Sequence, residues 1–121
     1  MPVAVVHTDT PEGRAALTAG AREATDRQQP LLVLHVLDDA SASDVEAVRA
    51  TVGSVLGDDG WELRTAVHDG DPTGALIDLV AGSGAERLVV GSRGRNAVGK
   101  FLLERLLIEA PVPVLVVKTP A

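Results

Sequence analysis

The chain has 121 residues, with 17 acidic against 11 basic side chains and a net charge of −6. It contains no cysteine, which excludes disulfides, thiolate nucleophiles, cysteine–zinc sites and iron–sulfur clusters. Hydrophobic residues make up 45% but aromatics only 2%, so the core is aliphatic and little remains to stack on nucleobases. The negative field also opposes nucleic acid and anionic membranes, and neither is an expected partner.

The length fits a single domain over residues 1–121. No apolar run approaches the ~20 residues of a membrane span. The opening Met1-Pro2-Val3-Ala4-Val5-Val6 lacks the basic segment of a secretory signal, so a cytoplasmic location is expected.

Val3–Val6 is a short apolar run suited to a strand buried on both faces. A helix is expected from about Pro11 to Arg27, its small residues Gly20, Ala21 and Ala24 permitting close approach to a sheet. Leu31–Leu37 reads as the second strand. Ser43 with Glu46 makes a capping-box pattern for a helix with Val45, Val48, Val52 and Val55 on one stripe. Trp61–Val67 is the third strand, and Asp71 with Pro72 opens the third helix as N-cap and first residue. Leu88–Val90 is the fourth strand, followed by a loop over Gly91–Gly99 and a helix over Phe101–Glu109. Val114–Val117 is the last strand. Pro111 and Pro113 before it cannot donate ladder hydrogen bonds, which places it at an edge. The βα alternation predicts an open, Rossmann-like α/β domain with helices on both faces of a parallel sheet. An exposed edge of Val114, Leu115, Val116 and Val117 calls for a cover, and a homodimer supplies one.

Ligands of such sheets bind beyond the C-terminal strand ends. The residues expected there are His7, Thr8, Asp9 and Thr10, then Asp38 and Asp39, then His68, Asp69 and Gly70, and finally the Gly91–Gly99 loop. Arg87, Arg93, Arg95, Lys100 and Arg105 concentrate five of the 11 basic residues around that loop, which suits an anion. The loop matches neither a Walker motif nor a dinucleotide fingerprint. Asp9, Asp38 and Asp39 would have to converge to hold a cation, and solvated turn carboxylates are the commoner outcome. Ser92, His7 and Asp69 contain the elements of a triad without the sequence context of a nucleophile elbow. No enzymatic activity is expected.

The segment Val89-Val90-Gly91-Ser92-Arg93-Gly94-Arg95, then Gly99-Lys100-Phe101-Leu102-Leu103-Glu104-Arg105-Leu106-Leu107, then Ala110-Pro111-Val112-Pro113-Val114-Leu115-Val116-Val117, resembles the C-terminal signature of the universal stress protein family. Pro11–Leu17, Leu34-His35-Val36 and Gly70-Asp71-Pro72 agree with it. The resemblance implies a sheet of order 3-2-1-4-5. It also implies a homodimer whose last strands pair antiparallel through Val112, Val114, Leu115, Val116 and Val117. Nucleotide-binding members carry Gly, two residues, Gly, nine residues, then Gly-Ser or Gly-Thr. Gly91 and Gly94 supply the first half, but Leu103 runs directly into Glu104-Arg105. About four residues, a little over one helical turn, are missing where the second half of the phosphate cradle belongs. The family's nucleoside-binding Asp falls on Thr8, with Asp9 and Thr10 beside it.

Phosphate hydrogen bonds are worth about 1.5–3 kcal/mol each, and losing two or three weakens binding more than about a hundredfold. The resemblance therefore implies a non-enzymatic dimer without tight ATP binding and with no cofactor expected, acting through protein contacts in the stress response. The protein partner is not identified by the sequence. The alternative is an adenine-nucleotide sensor for ATP or AMP with a remodelled site. It would use Thr8 or Asp9, Thr10, Val67, and Gly91, Ser92, Arg93, Gly94, Arg95 and Gly99 of the loop.

Overall fold

Four consecutive residues without a polar side chain leave a strand no face to turn to water, and Val3–Val6 is buried along its whole length as β1. The computed structural model describes residues 1–93 and 97–119. After β1 come α1 (Pro11–Arg27), β2 (Leu31–Leu37), α2 (Ala42–Leu56), β3 (Trp61–Val67), α3 (Pro72–Ser83), β4 (Arg87–Ser92), α4 (Ala97–Glu109) and β5 (Val114–Lys118). The five strands form one sheet of order β3-β2-β1-β4-β5. Every pairing is parallel, from Val3↔Leu31 and Val3↔Arg87 at the centre to Leu31↔Trp61 and Leu88↔Val114 at the edges.

Strand alternation divides the core in two. Val3, Val5, Leu31, Val33 and Val89 pack with Ala16, Leu17 and Ala24 of α1 and Val52 of α2. Ala4, Val6, Leu32, Leu34, Leu88 and Val90 pack on the other face with Leu76 and Val80 of α3 and Leu106 of α4. Aliphatic side chains of similar size fill both layers, as a chain with two aromatic residues requires.

Local chemistry sets the helix starts. Thr10 caps α1 by accepting from the Gly13 amide at 3.0 Å, and Asp71 caps α3 by accepting from Gly74 at 3.0 Å. Pro72 follows Asp71 in the first turn of α3. The expected Ser43–Glu46 capping box does not form. α2 begins two residues earlier than a Ser43 cap would have it, at Ala42, with Ser41 as a cap that makes no side-chain hydrogen bond. Ser43 is already helical, its hydroxyl 2.8 Å from that of Ser41, and Glu46 lies 3.9 Å from Arg49 instead.

The connection after β4 is shorter than the sequence suggests. Gly91 and Ser92 belong to the strand, because Val117 and Lys118 of β5 pair with them and Thr119 donates to the Ser92 carbonyl at 3.0 Å. α4 starts at Ala97, which makes Gly99 a helix residue rather than a loop residue. Gly94 and Arg95 lie outside the described residues.

Gly91 is needed where it stands: a Cβ there would overlap the carbonyl oxygen of Glu12 in the first turn of α1. That contact is to backbone, which cannot swing aside as a side-chain tip can. Gly91→Ala should therefore lower stability by about 1–3 kcal/mol in urea unfolding with an unchanged m value.

Candidate functional site

A cavity of about 290 Å³ opens at the C-terminal ends of β1 and β2. Val6, His7 and Thr8 line it from β1 and the turn that follows, and His35 and Val36 from β2. Pro72, Thr73 and Leu76 of α3 and Leu102 of α4 complete the wall. Val6, Leu76 and the partly buried Val36 and Leu102 belong to the α3/α4 core layer, so the cavity is where that layer stops short of the strand ends. On the other face the first turn of α1 sits directly on Gly91 of β4. A wider depression of about 600 Å³ lies between α2 and the start of β3. It is remote from the strand C-termini, and its indole, Trp61, already donates to the Gly57 carbonyl at 2.7 Å.

His7 follows the last residue of β1 and His35 lies on β2, and both line the cavity. Their Nδ1 atoms are 3.1 Å apart, and His35 Nδ1 is also 3.1 Å from the His7 carbonyl oxygen. A carbonyl only accepts, so His35 carries its proton on Nδ1. His7 Nδ1 is then the acceptor, and neutral His7 holds its proton on Nε2. That buried atom has no protein hydrogen-bond partner. Burial, followed by the neighbouring His35, lowers the His7 pKa to about 4, against a smaller opposing pull from Asp9. His7 is therefore a neutral ring at the root of the cavity.

The remaining expected site residues are distributed as follows. Thr8 lines the cavity, and its hydroxyl is 2.9 Å from that of Thr10, which is committed to the helix cap. The Asp9 side chain is 78% exposed and lies 3.6 Å from Arg14. Asp38 is bonded by His68 Nε2 at 2.7 Å, and the Gly70 amide donates to the other ring nitrogen of His68 at 3.0 Å. Asp9 and Asp38 thus serve separate basic partners, and no group of three or more His, Asp or Glu able to hold a metal exists among the described residues. The Ser92–His7–Asp69 combination is not assembled, since His7 Nδ1 faces an imidazole and not a carboxylate. Val67 lies away from the cavity, in a groove between β3 and α3.

The basic cluster read along the chain is dispersed in space. Arg87 stands at the start of β4 and bonds Glu23 at 2.6 Å. Arg93 Nε lies 3.7 Å from Glu12, whose side chain is 15% exposed. Arg105 bonds Asp71 and Glu109 at 2.8 Å each. Sequence reasoning did not place Pro72, Thr73, Leu76 and Leu102 in the site. Their helical spacing marks them as core residues, and nothing in the pattern says which core positions border an unfilled strand end.

The titration of His7 can be measured. Unfolded chains take up this proton near pH 6.5 and the fold only near pH 4. Between those values the unfolded state binds more protons, so stability is full above pH 6.5 and is lost as pH falls toward 4. The loss approaches about 3 kcal/mol at ~1.4 kcal/mol per unit. Urea unfolding of the parent and of His7→Gln over this range should show the parent losing that much more stability than the variant.

Comparison with known proteins fits this architecture. The model of the universal stress protein family matches residues 1–118. A universal stress protein of Mycolicibacterium smegmatis is 41% identical over 130 aligned positions, covering 96% of each chain. The structure of the universal stress protein from Archaeoglobus fulgidus in complex with dAMP superposes with a TM-score of 0.75 at 20% identity, over 96% of both chains. A universal stress protein family protein from Arabidopsis thaliana with AMP bound gives 0.67 at 22% identity, over 100% of this chain and 93% of the other. The chain belongs to the universal stress protein family.

Proposed function

We propose that this domain is a non-catalytic binding module for an adenine mononucleotide, with the base in the cavity at the ends of β1 and β2. The cavity carries the reading: Val6, Val36, Pro72, Leu76 and Leu102 give it an apolar lining at the C-terminal ends of β1 and β2. At about 290 Å³ it is at the small end of ligand sites, a size for a base with part of its sugar and not for a whole triphosphate.

The strand ends supply the polar recognition. The β1–β2 ladder stops where the His7 amide donates to the Leu34 carbonyl at 2.9 Å. Backbone groups along a strand alternate in direction, so those of Val36 face the same side as Leu34's, beyond the end of that ladder. An N–H and a C=O from one residue suit the ring nitrogen and amino group along one edge of adenine.

The phosphate side is weaker. The turn missing between Leu103 and Glu104 removes donors, Arg93 is held by Glu12, and Arg105 by Asp71 and Glu109. The ligands named for the Archaeoglobus and Arabidopsis proteins, dAMP and AMP, are monophosphates. Together these points favour the nucleotide sensor over a domain acting through protein contacts alone. They also preserve the expectation that a triphosphate is not gripped tightly.

Calorimetric titration with adenosine, AMP and ATP tests the proposal. AMP and adenosine should bind, with ATP within about tenfold of AMP. No binding of any of the three at millimolar concentration would overturn it, as would ATP binding more than about a hundredfold tighter than AMP.

The same reading includes pairing of two copies along β5. That strand is a sheet edge, and its Leu115 is 39% exposed while Val114 and Val116 pack inward against the α3/α4 layer. Leu115→Arg, which leaves the core untouched, should move the protein from dimer to monomer in light scattering. A parent already monomeric at micromolar concentration would remove this part of the proposal.

A further inference from the structure

Two helices from separate βα units form one wall of the cavity, and an ion pair joins them at its rim. Asp71 immediately precedes Pro72 and Thr73, and Arg105 lies one turn beyond Leu102; Pro72, Thr73 and Leu102 all line the cavity. Asp71 Oδ1 accepts from the Gly74 amide at 3.0 Å and from Arg105 Nη1 at 2.8 Å. Arg105 is fixed from its other side, where Nε donates to Glu109 at 2.8 Å. Its side chain is only 27% exposed, so the guanidinium lies against the protein and is not waving in solvent. The Gly74 amide, and then Arg105, hold the Asp71 carboxyl below the usual carboxylate range. The pair therefore persists through the neutral range, since the stability it contributes is lost only when pH falls through that lowered value.

The position of this pair matters because it ties the start of α3 to α4 beside the cavity. Leu76 of α3 and Leu106 of α4 belong to one core layer, and Leu76 and Leu102 both line the cavity. We infer that Arg105 and Asp71 are positioning residues for the base: their pair sets the spacing of α3 and α4, and so the width of the cavity mouth. This rests on the nucleotide reading above for its functional meaning, though the clamp is a property of the free protein. On this inference Arg105 is not a phosphate ligand. Its donors are directed at Asp71 and Glu109, and its contribution to binding is exerted through the shape of the pocket.

Asp71→Asn isolates the clamp, because asparagine caps a helix as well as aspartate while carrying no charge. Arg105→Gln removes the partner. Each should weaken adenosine and AMP binding alike, by about fivefold, and the double variant should be no weaker than either single one. The chain has no cysteine, so spin labels at Asp78→Cys on α3 and Ile108→Cys on α4 report the helix spacing directly. In the labelled parent a single narrow distance is expected, and each clamp variant should broaden it. An unchanged distance distribution would overturn the inference. So would a loss confined to AMP, since that would make Arg105 a direct phosphate contact. A parent that binds neither ligand would remove the nucleotide reading, while the distance measurement still decides the clamp.

Discussion

The structure depends on the complete burial of β1. Val3, Ala4 and Val5 have no exposed surface and Val6 has 5%. A strand buried on both faces and paired on both edges must lie at the centre of a parallel sheet. Its neighbours are then β2 on one side and β4 on the other, and each further crossover adds a strand outward. This central strand is also where the strand order reverses, so its C-terminal end is the one position reached by helices from both halves of the chain. Fold and site have the same origin.

Which side of the reversal holds the cavity is decided by glycine. At Gly91 the missing side chain lets the first turn of α1 rest on β4, which fills the β1–β4 crevice on that face. Gly20 does the same further along α1, with its bare Cα facing Val5, where a Cβ would lie 3.1 Å from that of Val5. α1 therefore lies flat and close along the sheet. On the opposite face α3 and α4 pack through Leu76, Val80 and Leu106, and the cavity lies beside them at the ends of β1 and β2. The space left is apolar because the last inward residues of β1 and β2, Val6 and Val36, are valines.

Much of this architecture could be read from the chain. Short apolar or alternating runs marked all five strands, and the Asp71-Pro72 pair marked the start of α3, because strand burial and capping are local properties. Errors arose where a neighbour decides the outcome. Ser43 had the spacing of a capping box but lies two residues beyond the cap at Ser41. Gly91 and Ser92 looked like loop residues until β5 supplied their ladder partners. At the site, Thr8 was legible as the residue after the central strand, whereas Val67 was placed there only by chain position and in fact borders another groove. Leu102 and Leu76 could not be found, since a helix periodicity identifies a buried stripe but not its ending at a cavity.

The clearest divergence between sequence and space concerns charge. Five basic residues within a short stretch suggest an anion cradle, yet the three whose side chains are described each face a carboxylate: Arg87 with Glu23, Arg93 with Glu12, and Arg105 with Asp71 and Glu109. With 17 acidic residues against 11 basic ones, an arginine in this protein has abundant partners. A phosphate must compete with them, and each exchange of carboxylate for phosphate gains less than a phosphate meeting a free guanidinium. Under the proposed reading, specificity shifts toward groups that have no such competitor: the aliphatic wall and the β1-facing backbone at the end of β2, beyond the His7–Leu34 hydrogen bond. If the proposed nucleotide reading holds, such a domain discriminates by base and shape, and each further phosphate adds negative charge beside a protein of net charge −6.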